Sequence, residues 1–213
     1  MKTRITLLLL LTFSLSAMAQ QTFEGIIKYD IKHNSTTNSN IPTEISITHK
    51  GERIKLTALS NKFNVVILSD NSNISTLILE LKGDFIANLA MEISNSDLKE
   101  KFNYDNNFIV KHTKEKKDIA RQSCHKVISE NPNHKTYAFI ADNVYTNSYG
   151  WLFNNQIENL VMELHLNNST NISLLMKSMM SSQIDDSEFK VPNDCMLISL
   201  EDAKAILGED FIF

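Results

Sequence analysis

The chain is poor in the residues that build specialised chemistry. Among 213 residues there are two cysteines, three prolines, five glycines and one tryptophan. Two cysteines exclude the common cysteine-rich zinc modules and a disulfide-dense miniprotein. The glycines, Gly25, Gly51, Gly83, Gly150 and Gly208, are scattered. They form neither a phosphate-cradling loop nor a Gly-x-Ser-x-Gly nucleophile elbow. No Pro-rich linker divides the sequence. The formal net charge of −4 has the wrong sign and size for a nucleic-acid binder held by phosphates. No His-Glu-x-x-His pair is present, and past the N-terminus no stretch is apolar for long enough to cross a membrane as a helix.

What remains is ordinary globular composition, 42% apolar and 22% charged, enough for one domain with its own core. The first twenty residues differ from the rest. Lys2 and Arg4 precede an apolar run from Ile5 to Leu15, and Ala17-Met18-Ala19 offers small residues for cleavage. This is the pattern of a secretory signal peptide, residues 1–19, cut after Ala19. It predicts a periplasmic or secreted chain, residues 20–213, with no transmembrane segment and no lipobox cysteine.

Beyond the signal, apolar and polar residues alternate, which is the mark of half-buried strands. Phe23, Gly25, Ile27, Tyr29 and Ile31 share one face. Ile45 and Ile47 lead through Lys50-Gly51-Glu52 into Ile54, Leu56 and Ala58, a hairpin pattern. Further strands are expected over Phe63 to Leu68, Ile74 to Leu81, Phe85 to Ile93, Lys126 to Ser129, Lys135 to Ala141 and Leu160 to Leu166. Connections this short give an antiparallel sheet. Helices are few: Ser96 to Phe102, and a segment opened by Ser199-Leu200-Glu201-Asp202 and stopped by Gly208. The fold class is mainly β, a single curved antiparallel sheet with a few short α-helices.

Candidates for chemistry are sparse. Of the six histidines, His49 continues the Ile45–Ile47 face and is expected to be partly buried. His165 falls on a polar face, where a solvated ring is the default. Asp185 and Asp186 read as a polar turn. No catalytic residue, metal site or cofactor emerges. Cys124 and Cys195 either form a disulfide, worth about 4 kcal/mol for so long a loop, or remain separate small hydrophobes. Tyr149, Trp151 and Phe153 cluster around Gly150 as a candidate aromatic rim, or as a plug for one end of the sheet. The stretch Leu174 to Met180 is rich in methionine, which lines adaptable pockets and also fills cores.

Four segments carry a family resemblance. Phe23-Glu24-Gly25-Ile26-Ile27-Lys28-Tyr29 resembles the first strand of an uncharacterised family of exported Gram-negative envelope proteins. Ile119 to Lys126, around Cys124, is similar to that family's cysteine-containing strand, with Arg121 where the family pattern has glycine. Thr136 to Asp142 resembles its next strand, and Phe189-Lys190-Val191-Pro192 its closing motif. The family is thought to share the fold of the periplasmic lipoprotein carriers LolA and LolB. The resemblance implies a half-barrel with an apolar concave face, and it brings no catalytic residue with it. Ile27, Tyr29, Ile45, Ile47, Ile54, Leu56, Tyr137 and Phe139 are then candidate concave-face residues, for ligand or for core. The expected function is a non-enzymatic periplasmic binding protein for an apolar ligand: an acyl chain, a lipid or a lipoprotein. The alternative is an envelope protein–protein interaction module with no internal ligand.

Overall fold

A computed structural model describes residues 23–33, 42–61, 63–70, 74–82, 88–94, 109–130, 135–146, 157–167 and 172–207. Two meanders make one sheet. The first runs through β1 (Gly25–Lys32), β2 (Glu44–Lys50), β3 (Arg53–Leu59), β4 (Phe63–Ser69), β5 (Ile74–Leu81) and β6 (Asn88–Ser94). The second comprises β7 (Ile109–Ile119), β8 (Gln122–Glu130), β9 (Lys135–Tyr145), β10 (Asn159–Asn167) and β11 (Ile172–Ser181). They join where β11 docks on β1, so the order is β12-β6-β5-β4-β3-β2-β1-β11-β10-β9-β8-β7. The short β12 (Met196–Leu197) pairs parallel with β6. Every other pairing is antiparallel. The mainly-β, single-sheet expectation holds.

The alternation in sequence becomes an apolar inner face. Register sets Ile27 opposite Ile47, Ile47 opposite Leu56, Leu56 opposite Ile67, Ile67 opposite Leu77 and Leu77 opposite Met91. That row is buried across the first meander, and burying each such side chain is worth about 1.5–3 kcal/mol. The second meander adds Val127, Ala138, Ile140 and Leu164 to the same core.

Two long-range hydrogen bonds show how tightly the sheet curls. The Tyr29 hydroxyl donates to the Val161 carbonyl at 2.7 Å, although β11 lies between β1 and β10. Phe23 N–H reaches the Tyr145 carbonyl at 3.1 Å. Adjacent strands are about 4.8 Å apart, so the backbone contact between Phe23 and Tyr145, with β11 and β10 between β1 and β9, is not possible across a flat sheet. Register breaks between Lys28 and Tyr29, and on either side of Val161, supply the bends.

Two tight turns differ in chemistry. Gly51 takes the left-handed conformation in the β2–β3 turn, φ 59°, as Lys50-Gly51-Glu52 suggested. The β7–β8 turn places Ala120 and Arg121 at φ 49° and 68°. Positive φ at both central residues is what a two-residue type I′ hairpin requires. The bend therefore forms with Ala120 and Arg121, and no glycine, at its two central positions.

After β11 the chain runs as a strap, residues 182–195, over the outer face of the first meander. Asp186 accepts from Lys50 at 2.6 Å and Arg53 at 2.7 Å, and Glu188 from Lys55 at 2.8 Å. Arg53 lies over the Phe189 ring. Val191 and Cys195 cover a second apolar cluster of Val66, Leu68, Ile78 and Ala90. Asp185 caps the strap's 3-10 turn, Asp186–Phe189, so the Asp185-Asp186 pair is a polar turn as read. The strap ends in α1 (Leu200–Leu207). Ser199 caps this helix by accepting from Asp202 N–H at 3.0 Å. Gly208 and the expected helix over residues 96–102 lie outside the described residues.

Candidate functional site

The structure divides the eight candidate concave-face residues into two groups. Ile27, Tyr29, Ile45, Ile47, Ile54 and Leu56 share the inner face of β1–β3. Ile27, Tyr29, Ile47, Ile54 and Leu56 are at most 6% exposed, and Ile45 packs against them. Phe139, 5% exposed, is buried in the same core cluster, and Tyr137 packs against that cluster. Register pairs the two with Glu163 and His165 of β10, while their neighbour Ala138 pairs with Leu164 and projects from the other face of β9. Tyr149, Trp151 and Phe153 lie outside the described residues.

Tyr137 and Phe139 also belong to a network of charged and aromatic groups on β7–β11. Tyr137 stacks on His165, centroids 4.4 Å apart, with the Lys126 ammonium 4.6 Å above its ring. Lys117 lies over Phe139 at 4.9 Å and donates to Glu163. Glu163 also bonds to His165, whose other nitrogen meets Ser173 Oγ at 2.9 Å. Burial pushes the Glu163 carboxyl up, but hydrogen bonds from Lys117 and His165 outweigh it and hold it below the usual range. His165 is thus a half-buried member of a network, a correction to the solvated ring expected for it.

A second polar cluster, largely exposed, lies near the β7 edge, and no sequence motif announced it. His125 of β8 makes a 2.6 Å bond from Nδ1 to Asp142 Oδ1 of β9. Ser123 Oγ donates to Asp142 Oδ2 at 2.9 Å, and Lys116 Nζ lies 3.6 Å from the same oxygen. His125 Nε2 faces His112 Nδ1 of β7 at 2.9 Å. The hydrogen bonds from His125 and then Ser123 hold the Asp142 carboxyl below its ordinary range. Ionised Asp142 accepts the Nδ1 proton, and in the neutral tautomer that this bond selects, Nε2 carries the lone pair. The five residues fit no spacing rule because three strands contribute them. A register break in β7 between His112 and Lys116 brings them together. Ser123 bonds to the carboxylate and not to an imidazole, which is not the nucleophile–base contact of a hydrolase triad.

Cys124 and Cys195 are both free. Cys124 belongs to the main core and Cys195 to the cluster under the strap. Of the two states left open by sequence, the structure has separate thiols. Burial raises both thiol pKa values, which favours the unreactive protonated form. His49 is more deeply buried than expected, 1% exposed, with the Phe23 ring edge against it.

No family model and no curated protein matches the sequence. Solved structures do. PNGF-II, determined in two crystal forms, is similar at TM-scores of 0.54 and 0.53 with 13% and 14% identity. The match covers 88% of this chain but only 34% and 32% of the PNGF-II chains. This chain therefore spans about a third of their length, and at that identity the likeness is one of fold.

Proposed function

We propose that this chain is a non-enzymatic binding module exported to the cell envelope, and that it engages another envelope protein through its outer surface. The carrying observation is the burial of the inner face. Ile27, Tyr29, Ile47, Ile54 and Leu56 are at most 6% exposed, covered by side chains of the same sheet. An acyl chain entering there must displace those contacts, at a cost comparable to opening the core. This favours the interaction module over the internal carrier.

Two further points support the reading. The Tyr137 face of β8–β10 presents a tyrosine ring, a residue type enriched where proteins meet, beside His165 and Lys126. The fold also occurs as about a third of a longer chain in PNGF-II, the proportion of one module among several. The signal-like N-terminus and the family resemblance support the compartment.

The test is native mass spectrometry of the mature protein purified without detergent. The bare protein mass, unchanged after incubation with lipid vesicles, is the expected result. An added mass that organic solvent extracts overturns the reading and restores the carrier. A photo-crosslinker placed at position 126 then identifies the partner in intact cells, with position 52 in the β2–β3 turn as the control.

A further inference from the structure

We propose that His112 and His125 form a two-imidazole site for a divalent first-row transition-metal ion, with Asp142 as the carboxylate that orients His125. The inference does not depend on the interaction reading. It rests on how the three side chains are held.

Imidazole nitrogens suit Cu(II), Ni(II) and Zn(II), and a ligating histidine usually donates its other ring N–H to a carboxylate. His125 has that arrangement. Its Nδ1 is engaged by Asp142 at 2.6 Å, so Nε2 is the available donor atom, and Nε2 points at His112 Nδ1. Asp142 is fixed in turn by Ser123 and by Lys116 on its second oxygen. The ammonium of Lys116 therefore neutralises the carboxylate from the side away from the two nitrogens. Two nitrogens bound at about 2.0–2.1 Å to one tetrahedral ion lie about 3.3 Å apart. The gap is 2.9 Å, with the ring planes 31° apart. To admit an ion the rings must separate by about 0.4 Å and each turn by roughly 35° so that both lone pairs converge on it.

Protons balance simply. His125 keeps its Nδ1 proton on the Asp142 bond. In the metal-free pair the 2.9 Å contact holds one proton, on His112 Nδ1. Binding moves that proton through solvent to His112 Nε2, so a pair of neutral rings takes up the ion with no net release of protons. Water completes the coordination, since no third histidine, cysteine or carboxylate joins the group among the described residues. A site with two protein ligands binds reversibly, and the general order of affinities places Cu(II) above Zn(II).

The experiment titrates Cu(II) into the folded mature chain and reads the electron paramagnetic resonance spectrum. One equivalent is expected to show coupling to imidazole nitrogens. His112→Gln, on the edge strand, is expected to lose that signal while melting like the parent. His165→Gln is expected to retain it. Asp142→Asn is expected to weaken binding by about 10–100-fold. In the unmodified protein, Zn(II) is expected to shift the ring protons of His112 and His125 and leave those of His49 in place. No binding at 0.1 mM metal overturns the proposal, as does a signal unchanged in His112→Gln. Equal affinity in Asp142→Asn overturns the orienting role.

Discussion

Alanine at Gly25 and alanine at Gly51 separate steric exclusion from backbone conformation. Gly25 sits where β1 pairs with β2 on one side and β11 on the other. A Cβ there would lie 2.1 Å from the Met180 carbonyl oxygen and 2.9 Å from both Phe23 Cζ and Ser181 Cα. Ordinary C···O contacts begin near 3.3 Å, so the two backbones must part by about 1 Å. Ladder hydrogen bonds left unmade in a buried setting cost about 1–3 kcal/mol each. Strain at φ 148° adds about 1–3 kcal/mol. One such bond and the strain together come to about 2–6 kcal/mol, a large share of the ~5–15 kcal/mol available to a domain. Gly51 has φ 59° and nothing within 4 Å of its would-be Cβ. Alanine there meets only left-handed strain of about 1–2 kcal/mol, less about 0.4–1 kcal/mol regained from a stiffer unfolded chain. Urea denaturation of both variants checks the difference. Gly25→Ala is expected to lose at least ~2 kcal/mol more than Gly51→Ala. Equal losses would refute the close approach of β1 and β11.

The β7–β8 turn offers the opposite change. Replacing Ala120-Arg121 by Asn-Gly suits the two positive φ values and is expected to raise the urea midpoint by the equivalent of about 1 kcal/mol; a lower midpoint would remove the type I′ assignment. His49 sets a pH dependence. Burial lowers its pKa to about 4, so the unfolded chain takes up the proton first. The contribution is complete above pH ~6.5 and is lost as pH falls towards 4, by up to about 3 kcal/mol. His49→Met should flatten that part of the stability–pH curve, and a parent curve already flat between pH 6.5 and 4 contradicts the burial argument. For the cysteines, reductant should leave the melting temperature unchanged. A thiol reagent should label Cys195 in the native state and Cys124 only on unfolding, and a melt lowered by reductant would reveal a bridge.

The inner face of the first meander was legible because β3 alternates strictly and β1 nearly so, whereas β5 buries Leu77, Ile78 and Leu79 in a row because the strap covers its outer face at Ile78. The capped helix was legible from the spacing of Ser199 and Asp202. β7 was not, because Val110 to Asp118 reads as a charge run. As an edge strand it needs no apolar pattern, and its lysines guard the open edge. β11 hid for a different reason. Lys177 is the extra residue of its bulge against β1, which shifts the alternation of Leu174 to Met180 midway. Bulges also explain the histidine cluster. The spacing of His112, His125 and Asp142 follows from hairpin lengths and one irregularity in β7, none of which a motif encodes.

The joining of β1 to β11 has a consequence for the order in which the chain acquires its shape. β2 to β6 can zip onto one another as soon as each hairpin emerges, since their contacts are local. β1 finds its second neighbour only when Ile172 to Ser181 arrive, at the far end of the sequence. Until then one flank of β1 is open, and Val66, Leu68, Ile78 and Ala90 wait without the strap that covers them. A nascent or prematurely terminated chain therefore exposes a sticky edge and a greasy patch together. Proteases and holdases recognise such a state, and synthesis of Ile172 to Cys195 closes it.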